Sequence, residues 1–96
     1  MNAEKDLGPR TKQFAKQVIR LFSALSHDTA SQVLGKQLLR AGTSVGANYR
    51  EANRGRSKAE FIAKIGDCLK EADESSYWLE LLLDEEIGRA SCRERV

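Results

Sequence analysis

From Phe14 to Leu83 the apolar residues recur at steps of three and four and never alternate with period two over a useful length, a pattern that admits helices and excludes a sheet. The first stripe, Phe14, Val18, Leu21, Phe22 and Leu25, predicts a helix from about Thr11 to Leu25. Residues 1–10 are polar and close on Gly8-Pro9, a breaker pair, so they are expected to be a disordered N-terminal segment. Thr29 with Gln32 fits a capping box opening a second helix, about Ala30 to Asn53. Ser57 with Glu60 repeats that device for a third, which carries Phe61, Ile65, Cys68, Leu69, Ala72, Leu79, Leu82 and Leu83 and ends near Glu85. The expected fold is all-α, an up-and-down antiparallel helical bundle in one domain over residues 11–86.

The second helix is the most informative. At about 100° per residue, Leu34, Leu38, Ala41, Val45 and Ala52 share one stripe, which predicts its core face. Gly35, Gly42 and Gly46 gather on another side; each costs roughly 1 kcal/mol relative to Ala inside a helix, so their alignment predicts close approach by a neighbouring helix. Lys36, Arg40, Arg50 and Arg54 form a third, basic face, extended by Arg56 and Lys58 in the following turn. Asn48 and Glu51 flank the apolar stripe, where an unpaired polar group would cost roughly 1–3 kcal/mol, so both are expected to be structural or assembly residues.

The run Arg40 to Ala52, RAGTSVGANYREA, preceded by LGKQLLR and followed by Gly55, Ser57, Glu60 and Phe61, closely resembles the bacterial four-helix-bundle protein family, also called the 23S ribosomal RNA intervening-sequence protein family. The resemblance covers residues 12–85. It implies an up-and-down four-helix bundle that assembles as a homopentamer, and kinship with accessory proteins of diversity-generating retroelements, which bind nucleic acid and a reverse transcriptase. It makes the glycines, Asn48, Glu51, Ser57 and Glu60 part of a motif tied to packing and assembly. Three of the four helices are accounted for. The last residues, Glu86 to Val96, show no helical stripe and also translate one frame of a common sequencing-library adapter, so residues 87–96 are expected to be a non-native read-through tail and the bundle truncated before its last helix. Three stripes without a fourth should leave an apolar groove.

Composition narrows the function. A chain of 96 residues at 41% apolar and 31% charged is large enough for one core, has no span of some 18 apolar residues for a membrane, and shows no secretory leader, so a cytoplasmic protein is expected. Its +2 charge conceals an asymmetry: residues 1–58 hold eleven Lys or Arg against four Asp or Glu, and residues 59–86 hold two against nine. Catalysis is not expected. The one histidine, His27, lies in a turn without a partner for a dyad, Cys68 sits on an apolar stripe, and Asp67, Glu71 and Glu74 lack the Glu-x-x-His motif of metal-binding bundles. No cofactor or metal is therefore expected. Two readings remain. The basic residues Lys36, Arg40, Arg50, Arg54, Arg56 and Lys58 could lie along RNA or DNA phosphates. Alternatively they pair with the acidic third helix of the same or a neighbouring copy, leaving a purely structural interaction module with a protein partner.

Overall fold

The structure, a computed structural model, describes residues 6–94 and contains three helices: α1 (Leu7–Ala24), α2 (Thr29–Asn53) and α3 (Lys58–Glu94). Among the described residues there is no strand.

α1 begins four residues before the apolar stripe predicts. Asp6 is its cap, its carboxylate accepting the Gly8 N–H at 2.9 Å, and Pro9 falls in the first turn, where a backbone N–H would have no helical partner anyway. Residues 7–10 of the segment expected to be disordered are thus helical; residues 1–5 lie outside the described residues. α2 opens on Asp28 rather than the expected Thr29. The Asp28 carboxylate takes both the N–H of Ser31, at 2.9 Å, and its hydroxyl, at 3.1 Å, and Ser31 is buried. Gln32 instead donates to the Ser26 carbonyl at 2.9 Å. At α3 the capping box is present: Ser57 Oγ accepts the Glu60 N–H at 3.1 Å, and the Glu60 carboxylate accepts the N–H of Arg56 at 2.7 Å. α3 runs on to Glu94, beyond the Glu85 at which its apolar stripe fades, because extending an existing helix through Arg, Ala and Glu needs no new nucleus.

Cross-contacts fix the direction of each helix. Gly46 of α2 lies at Thr11 and Gly35 at Leu25, while Val45 meets Cys68 and Arg40 meets Glu74. Both neighbours therefore run antiparallel to α2, which is the central rod, and they touch each other little. The core is built from Val18, Leu38 and Leu82, with Phe14, Leu25, Leu34, Leu39, Trp78 and Leu79 packed around it. Ala41, Val45 and Ala52 of the α2 stripe are buried with them. A methyl group at Gly42 would come within 2.9 Å of Val18 Cγ2, so α1 rests on bare α2 backbone at that point.

α3 departs from the pattern. Of its apolar stripe only Cys68 and Leu82 are buried, whereas Phe61, Leu69 and Leu83 are 41%, 63% and 61% exposed. Ala72 and Leu79 of the stripe turn toward a groove between α1 and α3, whereas Phe61, Leu69 and Leu83 lie outside its lining. That groove encloses about 460 Å3 and is lined by Leu7, Phe14, Val45, Ala72, Ser75 and Leu79. On the other flank of α3 the lone tryptophan, Trp78, packs on the core with its indole N–H buried and without an acceptor among the described residues; the Tyr77 ring lies beside it, centroids 5.2 Å apart.

The Cys68 thiol donates weakly to the Val45 carbonyl at 3.5 Å, and burial, reinforced by the negative charge of Asp67, pushes its pKa above the ordinary 9.0. The folded chain therefore favours the neutral thiol. The stability this contributes is complete below the unfolded value and disappears as pH rises through the folded one. Urea melts of the wild type and Cys68→Ala should show the wild type losing stability relative to the variant above about pH 9. A constant difference across that range would show that the thiol's burial is inconsequential.

Candidate functional site

The basic residues of α2 have different surroundings. Arg40 is tied to α3: its guanidinium meets Glu74 at 2.6 Å and Glu71 at 3.4 Å, and the Glu74 hydrogen bond raises its pKa. It belongs to the helix–helix contact, which corrects its expected place on an open basic face. The reason is reach. On the helical wheel Arg40 lies toward the α3 edge, and its long side chain spans the interval to two carboxylates one turn apart.

The others stay outside. Lys36, Arg50, Arg54, Arg56 and Lys58 are exposed, and among the described residues none forms an ion pair. Arg50 lies in the last turn of α2, where a cation also suits the helix dipole, and Arg54 is its cap. Arg54, Gly55 and Arg56 form the turn, and the Gly55 N–H donates to the Ala52 carbonyl at 3.1 Å. A methyl at Gly55 would lie 3.1 Å from that oxygen and 3.3 Å from the Phe61 nitrogen, so the turn sits tightly against the start of α3. Arg50, Arg54, Arg56 and Lys58 are gathered at this end of the bundle. Lys36 stands apart, about 20 Å along the α2 axis from Arg50.

Carboxylates near the turn are engaged. Glu60 holds the Arg56 N–H, and Glu51 receives Lys64 at 2.7 Å, a hydrogen bond that raises the lysine's pKa, with Asp67 at 3.7 Å from the same ammonium. Glu51 thus fastens α2 to α3. The side chain of Asn48, half-buried in α2, makes no hydrogen bond among the described residues. Gly35, Gly42 and Gly46 all face α1, and Ser57 and Glu60 cap α3. The α3 partners of Arg40 and Glu51, namely Glu71, Glu74 and Lys64, were not anticipated as such. Their signal was the opposite charge of the two helices once an antiparallel register is assumed. Among the described residues no three potential metal ligands come together, and no helix is long and apolar enough to cross a membrane.

The family model for the 23S rRNA-intervening sequence protein matches residues 7–94. A solved structure, a protein with unknown function from the S23 ribosomal protein family of Bacteroides thetaiotaomicron, is similar over 85% of this chain and 76% of its own, at 43% identity and a TM-score of 0.79. No curated protein matches the chain.

Proposed function

This chain belongs to the 23S rRNA-intervening sequence protein family, and from that premise we propose that it acts without catalysis, by binding a polynucleotide backbone at the α2–α3 turn. The observation that carries this reading is the cluster Arg50, Arg54, Arg56 and Lys58, exposed and without an ion pair among the described residues, beside carboxylates already committed to Arg56 N–H and Lys64. Uncompensated cations on a rigid turn attract phosphates, and each contact releases condensed counterions. No aromatic side chain interleaves with these cations in sequence, so the contact is to backbone and reads little sequence. Arg40 takes no part.

A scaffold reading draws on the ion pairs of Arg40 and Lys64, in which the basic and acidic helices satisfy each other. It accounts for those two residues and leaves the turn cluster unused. Fluorescence anisotropy with a mixed-sequence single-stranded RNA of about 20 nucleotides separates the two. Binding should weaken steeply with salt, and Arg54→Gln/Arg56→Gln should reduce the log–log salt slope by about 1.4 and the affinity by roughly 25-fold at about 0.1 M salt. Absence of binding by the wild type would leave only the scaffold, and an unchanged slope in the double variant would remove the turn from the contact.

A further inference from the structure

α1 carries a second cationic row on a different side of the molecule. Lys12, Lys16 and Arg20 stand at i, i+4 and i+8, are exposed, and among the described residues have no ion pair. Val18, Thr11, Phe22 and Leu25 turn toward the α2 glycines, so the row, roughly opposite them on the helical wheel, points away from the bundle. Its members are about 6 Å apart along the axis, comparable with the separation of neighbouring phosphates on a strand. α1 contains no Asp or Glu at all. From Leu7 to Arg56 there are two carboxylates, Asp28, which caps α2, and Glu51, which holds Lys64.

Like charges four residues apart on a helix repel and weaken it, and an ordinary solvated face offsets this by interspersing both signs. Here nothing in α1 offsets it. A protein-facing surface would be expected to place large apolar side chains at its centre. Between Lys12 and Arg20 on the wheel this sector contains instead only Pro9 and Ser23 besides the cations, with Gln13 at one margin and the exposed Ile19 at the other. A row of cations with no acidic group among them, and a single large apolar side chain at its margin, suits a row of anions.

We propose that Lys12, Lys16 and Arg20 form a second polynucleotide contact, which grips a phosphate backbone along α1. The proposal rests on the reading that the protein binds polynucleotide, and it adds a surface separate from the α2–α3 turn. The test is a salt titration of the full chain against the same 20-nucleotide RNA, comparing Lys12→Gln/Lys16→Gln/Arg20→Gln with the turn variant. Loss of three contacts should lower the salt slope by about 2 and the affinity roughly 100-fold at about 0.1 M salt. Helical content by circular dichroism checks that the variant is folded. Ser23→Lys, which lengthens the row, provides the opposite arm and should steepen the slope by about 0.7.

If the turn variant weakens binding and both α1 variants leave the slope unchanged, the α1 proposal fails while the turn reading stands. If the α1 variants shift the slope and the turn variant does not, the α1 row stands and the turn reading fails. An unbound wild type overturns both. Should the triple variant change the sedimentation coefficient of the protein alone and not its RNA affinity, the row is a contact between copies and the proposal is overturned.

Discussion

Replacing Leu38 by alanine should lower the unfolding free energy by about 2–5 kcal/mol, the largest loss expected from any single truncation in this chain. Leu38 is fully buried at the middle of α2 and packs with Val18 of α1 and Leu82 of α3, so one side chain joins all three helices. Removing three of its carbons loses their transfer free energy and leaves a cavity whose walls belong to three different rods. The rods can close on it only by moving relative to one another. Small domains typically have 5–15 kcal/mol in total, so the substitution removes a large share of what is available. Urea melts monitored by far-ultraviolet circular dichroism measure the effect. A loss below about 1 kcal/mol would mean that the three rods are not joined at this residue.

Gly42→Val should cost about 3 kcal/mol, with the loss concentrated in the docking of α1. The new Cβ would lie 2.9 Å from Val18 Cγ2 and 3.1 Å from Cγ1, and Val18 is itself buried and stiff about χ1, so the partner has no free rotamer to escape into. Glycine's poor helix propensity works the other way, but that gain is under 1 kcal/mol. Gly66→Ala is the matched control. Nothing lies within 4 Å of a Cβ there, so the same kind of change should stabilise α3 by roughly 0.5–1 kcal/mol. Paired melts of the two variants check the contrast; equal signs would show that α1 does not rest on Gly42.

The glycine contact illustrates how far the chain could be read without coordinates. Gly35, Gly42 and Gly46 fall on one side of a helix whose apolar stripe lies elsewhere, and that geometry needs only the helical period. The all-α class and the order of three helices follow from the same period. Helix ends were harder. Gly8-Pro9 signals a break inside a helix but costs little in a first turn, and the capping side chain, Asp6, lies before the stripe begins. Asp28 and Thr29 are adjacent cap-type residues, and the choice between them is made by Ser31, whose burial no local pattern announces. Arg40 shows the limit for the site. Its position on the wheel is legible, but whether a long cation faces solvent or reaches two carboxylates depends on how closely α3 approaches. The α1 row was open to inspection throughout, since three cations four apart in a helix free of Asp and Glu need no structure to be noticed.

The single indole gives the chain its own optical gauge. Trp78 rests on the cluster where the three rods converge, so its fluorescence colour reports whether that junction is dry. Because its N–H has no acceptor among the described residues, the first water molecule to enter would find an unoccupied donor waiting. Loosening anywhere around Leu38 should therefore shift the emission to the red before helical content falls, and the shift would mark a solvent leak rather than melting.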